Sequence, residues 1–401
     1  MDPAGRAPAA LAARRGDDVV TLSNPARPAA RIGSIDALRG FVMLLMLVDH
    51  VREFFYLHAQ VRDPIDLAVT GQALAATRLT AHLCAPVFLL LTGLSACLYA
   101  GKHGRGAASR FLLTRGLFLI LLELTLVNLA WTGTLLPPVL YLQVIWAIGL
   151  AMIVLAGLIL LPRPALAAFA LIIMLGHNCL DGIALAPDQA GYTLWSILHQ
   201  RGFLGLPWGV ARTSYPVLPW IGVAAAGYAL GPWFALDRRE RRRRLLPLGA
   251  AALAGFLALR GLNGYGDPTP WQLGATLGGT VLSFLNVTKY PPSADFLLLT
   301  LGLGLWLLAL FEALPATRLG WLRVFGGAPL FFYLLHLWLL RGLYDLMLAL
   351  GLGLGSSGRV EAGGPAQLWL IAALLSVPLY GACRWMVGLK RRAKHPVLSY
   401  L

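Results

Sequence analysis

Residues 35–58, IDALRGFVMLLMLVDHVREFFYLH, place charged side chains inside an apolar run that is long enough to cross a bilayer. If residues 36–55 are helical, Arg39 and His50 share one face, because a spacing of eleven residues is close to three turns. The rise over that spacing is about 16 Å. Ionisable groups in a membrane helix usually face the bundle interior or a water-filled cavity. We therefore predict that this face looks into the protein. The alternative is that Arg39 only snorkels to the cytoplasmic headgroups and His50 only meets outer water.

The composition is that of a polytopic membrane protein. Hydrophobic residues make up 58% of the 401 residues and charged residues 13%, and the mean hydropathy is +0.70, a balance that a water-soluble globule of this length could not bury. The formal net charge is +15, but Lys and Arg occur in short clusters between apolar runs, so the charge indicates topology and not nucleic-acid binding. The four cysteines stand singly, and their spacing predicts neither a disulfide framework nor a zinc site.

Apolar segments of spanning length recur along the chain with short breaks. We predict an all-α fold, a polytopic transmembrane bundle of about 10–11 helices. The candidate segments are 38–58, 83–100, 111–131, 139–161, 165–184, 214–235, 246–264, 272–288, 296–314, 328–350 and 367–389.

Basic clusters set the predicted orientation. By the positive-inside rule, residues 102–110, 237–244 and 390–395 lie on the cytoplasmic side together with both chain ends. That arrangement requires an even number of crossings, so one of the eleven segments does not span. We predict that 272–288, which is interrupted by two glycines, forms a short or re-entrant helix lining a cavity. The longest outer loops are then about 59–82 and 185–213.

Several motifs resemble one known family in their order along the chain. The run SIDALRG (34–40) followed by LMLVDH (45–50) is similar to the first helix of the heparan-α-glucosaminide N-acetyltransferase family and of related bacterial membrane proteins. The resemblance continues through DPIDL (63–67), TRLTAHLCAPVFLLLTG (77–93), GHNCLD (176–181), YPVLPWIG (215–222), RGLNGYGDP (260–268), FLNVTKYPPS (284–293) and FGGAPLFFYLLHLWLL (325–340).

The resemblance implies an integral-membrane acyltransferase that moves an acetyl or other acyl group from cytoplasmic acyl-CoA to a sugar or other polar acceptor. The predicted organisation is a disordered basic cytoplasmic tail at 1–33, a transmembrane acyltransferase-like domain at 34–389 and a basic cytoplasmic tail at 390–401. The expected partners are the lipid bilayer of the cell's inner membrane and a glycan or other polar acceptor, with no nucleic acid. The sequence leaves open whether the protein forms a homodimer. Acetyl-CoA or another acyl-CoA is the expected co-substrate, with no metal and no haem.

Acyl transfer needs a base for the acceptor, a donor for the developing oxyanion and cations for the phosphates. We predict that His50 and His82, at facing helix ends, form the base region. In the enzyme that names the family, the position equivalent to His50 holds an asparagine and the reactive histidine follows slightly later, which makes His58 a rival. A helix-end histidine that merely meets water is the alternative for His82.

Cations near cytoplasmic helix ends, Arg39 and Arg115, are predicted to hold the CoA phosphates, although positive-inside anchoring also explains Arg115. Glu123, inside its span, is expected to pair with a cation from another helix. His336 is either a functional group or a core histidine bonded across helices. The predicted acceptor-binding residues are Arg78, Arg260, Asn263, Asp267, Lys289 and His336.

A different function fits the same charges. A transporter or permease could use the buried Arg, His and Asp groups as a substrate or proton path, and paired broken helices in two symmetric halves would indicate it.

The histidine of GHNCLD, His177, is interpreted as a structural cap or loop contact.

Overall fold

The computed structural model describes residues 32–393, which are mostly helical. The predicted tail at 1–33 lies almost entirely outside the described residues, although Gly33 begins the first helix, and the first residues of the predicted tail at 390–401 belong to the last helix, which ends at Arg392. The helices are α1 (Gly33–Phe55), α2 (Gln72–Thr80), α3 (Cys84–His103), α4 (Arg105–Leu122), α5 (Asn128–Thr132), α6 (Val144–Leu158), α7 (Arg163–Gly176), α8 (Tyr192–Leu198), α9 (Leu218–Leu230), α10 (Arg238–Leu262), α11 (Leu277–Leu285), α12 (Ala294–Ala313), α13 (Gly320–Gly326), α14 (Pro329–Ala349) and α15 (Pro365–Arg392).

Seven helical stretches among the described residues are long and apolar enough to cross a membrane. Two of them are composite: α2 and α3 join through the 3₁₀ turn Ala81–Leu83, and α4 and α5 join through a π-helical turn at Glu123–Val127. The others are Arg163–Leu180, α10, α12, α14 and α15. The chain is therefore a multi-pass membrane protein built as an all-α bundle, as the sequence predicts.

Three more helices occupy predicted membrane segments but are not both long and apolar enough to count among these seven stretches. The first, α1, has the length but carries charged residues, whereas α6 and α9 are apolar but have only 15 and 13 residues. The segment predicted to be short, 272–288, forms α11, a helix of nine residues, so the prediction of a short helix is confirmed, whereas its lining of a cavity stays a prediction.

A small sheet was not predicted from the sequence. Its strands are β1 (Val139–Leu142), β2 (Phe203–Leu206) and β3 (Gly209–Thr213), in the order β1-β3-β2. The strand β3 pairs parallel to β1 and antiparallel to β2. The apolar segment 139–161 therefore begins as a strand and not as a helix. The register sets Tyr141 opposite Arg212, which brings two distant polar side chains together.

The predicted loop 59–82 is also shorter than expected, because α2 begins at Gln72 and leads almost directly into α3. The predicted loop 185–213 contains α8, β2 and β3. Both changes shape the same end of the bundle. They move His82 away from a loop mouth and place the sheet beside the end of α1.

Close glycine contacts hold α1 in position. A β-carbon added at Gly40 would lie 2.0 Å from the carbonyl oxygen of Leu322, and one added at Gly326 would lie 1.8 Å from the carbonyl oxygen of Asp36. Neither space admits a side chain, so α1 and α13 cross backbone to backbone. Small residues at such crossings are typical of membrane bundles. The crossing fixes the helix that carries His50.

Candidate functional site

A cavity of about 880 Å³ opens at the end of α1. Six arginines and three carboxylates line it, which gives a formal excess of three positive charges. Those arginines come from the loop after α1, from α2, the sheet region, α14 and the loop after α14. The charged lining residues are Arg62, Arg78, Arg201, Arg212, Arg341, Arg359, Asp49, Glu53 and Asp63. A cavity of this size and sign fits a polar ligand that carries negative charge.

His50 lies on the cavity wall and is hydrogen-bonded to a second histidine. Its Nδ1 is 2.7 Å from Nε2 of His336, and the Nδ1 of His336 is 2.8 Å from the carbonyl oxygen of Phe332. A carbonyl only accepts, so Nδ1 of His336 carries a proton, and in the neutral ring Nε2 then accepts from His50. The neutral His50 ring is thereby protonated at Nδ1. Its Nε2 keeps a lone pair.

Aromatic packing fixes the orientation of the His50 ring. The indole of Trp131 meets it edge to face at 5.1 Å, and Tyr333 does so at 6.1 Å between ring centroids. The rings of His50 and His336 lie nearly parallel, with centroids 5.0 Å apart. His336 is 0% exposed and does not line the cavity. It is placed to act on a ligand only through His50.

Asp49, the neighbour of His50, organises two buried arginines. Arg78 donates from Nη1 to Oδ2 of Asp49 at 2.8 Å, and Arg52 donates from Nε and Nη2 to Oδ1 at 3.1 and 3.0 Å. Arg52 also pairs with Glu53. Both guanidinium groups are therefore held in place by charge-assisted bonds, which are stronger than neutral ones. Arg78, which is predicted to bind the acceptor, lies on the cavity wall and is held there by Asp49.

Loop residues complete the wall opposite α1. Tyr290 donates a hydrogen bond to the hydroxyl of Tyr215 at 3.0 Å, and the guanidinium of Arg201 lies 5.0 Å from the centre of the Tyr290 ring. Asp63 accepts from the backbone N–H of Lys289 at 3.1 Å. Burial raises the pKa of the Asp63 carboxyl, and the nearby arginine of α2 offsets this only in part. Burial also raises the pKa of the Tyr215 hydroxyl well above its ordinary value, which keeps it protonated.

The other two candidate bases lie elsewhere. His82 is 3% exposed, its ring packs 5.2 Å from that of Phe296, and it is not part of the cavity wall. It lies inside the bundle because the chain is already helical from Gln72. His58 sits in a 3₁₀ turn, with its Nδ1 3.6 Å from Oε2 of Glu361, and does not line the cavity either.

The predicted phosphate-binding cations lie apart from this cavity. Arg39 donates to Oδ1 of Asp36 at 3.1 Å, to the carbonyl of Gly326 at 3.2 Å and to the hydroxyl of Ser95 at 3.4 Å, which ties α1 to α3 and α13. The guanidinium of Arg115 lies 5.7 Å from the centre of the Phe111 ring. Neither lines the cavity.

Three of the predicted acceptor-binding residues instead stabilise the segment between α10 and α12 through hydrogen bonds. Asn263 exchanges two hydrogen bonds with the backbone of Trp271. Asp267 accepts from Thr288 and Ser293. Arg260 donates to four carbonyls, those of Thr269, Ser283, Phe284 and Asn286.

The same segment contributes Tyr290 to the cavity wall, whereas the neighbouring Lys289 is 3% exposed and does not line it. The Nζ of Lys289 lies 5.2 Å from the centre of the Tyr290 ring. Arg260, Asn263 and Asp267 therefore position a wall residue without facing the cavity themselves.

The partner expected for Glu123 is a backbone group and not a cation. Its Oε2 accepts the N–H of Trp146 at 3.0 Å, in the first turn of α6. The first turn of a helix presents unsatisfied N–H groups and a partial positive charge. The helix end thus takes the place of the expected cation, and that prediction was wrong.

Comparison with known protein families identifies the family of this chain. The model of the heparan-alpha-glucosaminide N-acetyltransferase catalytic family matches residues 31–263, more than half of the chain. The chain belongs to this family. Membership supports a transmembrane acetyltransferase type of function, in a family that generally uses acetyl-CoA as donor. No curated protein matches the chain.

The family match covers α1 with Asp49 and His50, and it covers Arg78 and the sheet. Tyr290 and His336 lie beyond the matched range, although they touch the same cavity or the same histidine. The segment after residue 263 therefore completes a site that begins in the matched part.

Proposed function

We propose that the protein is an integral-membrane acyltransferase, which moves an acetyl or other acyl group from cytoplasmic acyl-CoA to a hydroxyl or amine of a glycan or other polar acceptor. The observation that carries the proposal is the 2.7 Å hydrogen bond between Nδ1 of His50 and Nε2 of His336 beside the cavity. The carbonyl of Phe332 accepts from Nδ1 of His336, so His50 donates from its own Nδ1 and keeps an unprotonated Nε2, and the His50 side chain lines a charged cavity. Family membership supports the same reaction type.

In the proposed reaction, Nε2 of His50 takes the proton of the acceptor while the acceptor's oxygen or nitrogen attacks the thioester carbonyl. The carbon–sulfur bond then breaks, CoA leaves as a thiolate, and the proton on His50 passes to that thiolate. General base catalysis of this kind contributes about 10²–10⁴-fold. Attack by Nε2 itself, through an acyl-histidine, uses the same lone pair and is the variant that rapid-quench trapping distinguishes.

Arg78 is the proposed electrostatic element beside the base. It lies on the cavity wall and is held by Asp49, the neighbour of His50. A fixed cation near a developing oxyanion stabilises the transition state without having to reorganise. The positive excess of the lining further favours an acceptor that carries phosphate, carboxylate or sulfate groups.

The proposed orientation follows the basic clusters, with both chain ends on the cytoplasmic side of the inner membrane. Arg39 then lies near the cytoplasmic end of α1 and His50 near the outer end, separated by a rise of about 16 Å. We propose that CoA extends along this helix, with its phosphates near Arg39 and Arg115 and its thioester near His50. The ordered partners of Arg39 support a fixed guanidinium in that position.

The test uses purified protein in detergent, acetyl-CoA, and detection of the released thiol with and without glucosamine 6-phosphate as acceptor. Wild type should bind acetyl-CoA and release CoA, and His50→Gln should bind it but turn over at least about 100-fold more slowly. The matched control is His103→Gln, which changes an exposed histidine at the end of α3 and should behave as wild type. Absence of acetyl-CoA binding, combined with CoA-independent solute uptake into proteoliposomes, would establish the transporter alternative instead.

A further inference from the structure

A second cluster of ionisable groups lies outside the cavity, between the end of α7 and the end of α8. His177, Asp181 and His199 each bring one possible ligand atom to within 4.8 Å of the other two. Nε2 of His199 is 3.1 Å from Oδ1 of Asp181. The rings of His177 and His199 meet edge to face, with centroids 5.6 Å apart.

These distances are close to those that a metal ion imposes. Zinc binds imidazole nitrogen and carboxylate oxygen at about 2.0–2.2 Å, so the ligand atoms of a tetrahedral site lie roughly 3.3–3.6 Å apart. The pair of Nε2 of His199 and Oδ1 of Asp181, at 3.1 Å, is already near that spacing, and a donor atom of His177 lies within 4.8 Å of the ligand atoms of the other two residues. Two imidazoles and one carboxylate are also a common donor set for zinc and related ions.

The histidines of the cluster have unused nitrogens. Both ring nitrogens of His177, and Nδ1 of His199, have no hydrogen-bond partner among residues 32–393. The two side chains belong to residues that are only 2% and 3% exposed. The carbonyl of Pro292 lies close to the His177 ring but does not meet hydrogen-bond geometry. Buried polar atoms are normally paired, so these nitrogens point to a ligand.

The carboxylate of the cluster is oriented by a neighbour. Asn178 donates from Nδ2 to Oδ2 of Asp181 at 2.7 Å, and its own Oδ1 accepts the N–H of Ala294 at the start of α12 at 2.8 Å. Outer partners of this kind commonly orient metal ligands. The Asp181 side chain is 25% exposed, so water can reach the cluster and fill a fourth position.

We propose that His177, Asp181 and His199 bind one divalent transition-metal ion, of the zinc class. The ion joins the end of α7 to the end of α8. His199 precedes Arg201 by two residues, and Arg201 lies over Tyr290 in the cavity wall. The ion thus positions a wall arginine without touching a substrate. The sequence predicts no metal, and its cysteines show no ligand spacing, whereas these ligands are two histidines and an aspartate brought together by the fold.

The test is metal binding by the full-length protein, purified in detergent through a tag without histidines. Protein treated with a chelator and then exchanged out of it is titrated with CoCl₂ or ZnCl₂. Bound metal is counted by mass spectrometry, and the Co²⁺ form is examined by visible absorption. The variants are Asp181→Asn and His199→Gln. The control is again His103→Gln, because His103 ends α3 and does not belong to the cluster.

Wild type and the control should bind about one equivalent, with the intense visible bands of low-coordinate Co²⁺, and Zn²⁺ should raise the unfolding temperature of both. Each variant should bind at least about tenfold more weakly, since even outer partners of metal ligands contribute that much. If either variant fails to fold, X-ray absorption at the zinc edge of the wild-type protein decides, and it should report two imidazoles among N/O ligands. Wild type that binds no stoichiometric metal, or variants that bind it unchanged, would overturn the proposal. Metal content is measured without any acyl-transfer assay, so the outcome of this test does not depend on whether the proposed reaction is correct.

Discussion

Replacing His336 by leucine should impair turnover without touching the cavity. The change removes the acceptor of the 2.7 Å bond from Nδ1 of His50. An unpaired donor in such a place costs about 1–3 kcal/mol. The His50 ring can escape this cost by rotating or by moving its proton to Nε2, and either change removes the basic lone pair from the cavity wall.

The productive arrangement then becomes a minor state. At 1.36 kcal/mol per tenfold change, the penalty lowers its population, and therefore kcat, by roughly 5- to 150-fold. KM for acetyl-CoA should stay within about twofold, because His336 is fully buried and touches no ligand. His336→Gln offers a side-chain oxygen as acceptor and should recover most of the activity.

The assay is steady-state CoA release by the two His336 variants and wild type across a range of pH. In His336→Leu the dependence of kcat on pH should shift, since the pKa of His50 changes when its partner is lost. A leucine variant with wild-type kcat and an unchanged pH profile would refute the relay between the two histidines. A rise in KM with unchanged kcat would place His336 in substrate binding instead.

Three further predictions concern stability and fixed charge. Gly40→Ala should lower the unfolding temperature, at a cost of about 1–3 kcal/mol, because its β-carbon would lie 2.0 Å from a carbonyl oxygen of α13. The control Gly101→Ala, whose β-carbon would lie in open space, should be neutral. Equal effects of the two substitutions would contradict the close crossing of α1 and α13. Asp49→Asn leaves Arg78 without its carboxylate partner and Arg52 with Glu53 alone, and should cost about 3–5 kcal/mol in chemical unfolding; a loss under about 0.5 kcal/mol would show that the Asp49–Arg78 pair is dispensable. Asp63 has a raised pKa, so the folded state holds its proton longer than the unfolded chain does, and stability should fall as pH rises above about 4. Asp63→Asn should remove part of that fall, and identical pH profiles of unfolding temperature would contradict the shift.

The sequence predicts the helical parts of this site better than their partners. The spacing of Arg39 and His50 follows from helical pitch alone, and the structure confirms that α1 turns charged residues inward. The partner of His50, His336, lies 286 residues away on another helix. No periodicity connects two such positions, so their contact depends on the tertiary packing.

Backbone partners are a second reason for the differences. Glu123 accepts from a backbone N–H, and Arg260 donates to four carbonyls. Backbone groups are present at every residue, so the sequence shows that a buried charge needs a partner without showing which backbone group supplies it. Both residues were therefore assigned to side-chain or ligand contacts.

Short apolar strands are a third reason for the differences between the sequence predictions and the structure. Residues 139–142 read as the beginning of a membrane helix, because a short apolar run has no distinctive period. They form β1, whose pairing with β3 sets Tyr141 beside Arg212 at the cavity. Arg212 is therefore not predicted as a wall residue; Arg201 and Tyr215 are not predicted either, although the motif YPVLPWIG contains Tyr215.

The most direct test of the central claim is an experimental structure of the protein with a non-hydrolysable acetyl-CoA analogue. The proposal predicts that the group replacing the thioester lies in the 880 Å³ cavity, with room for an acceptor atom about 2.6–3.2 Å from Nε2 of His50, and that the phosphates lie toward Arg39. An analogue whose acyl end lies outside this cavity, away from His50, would contradict it.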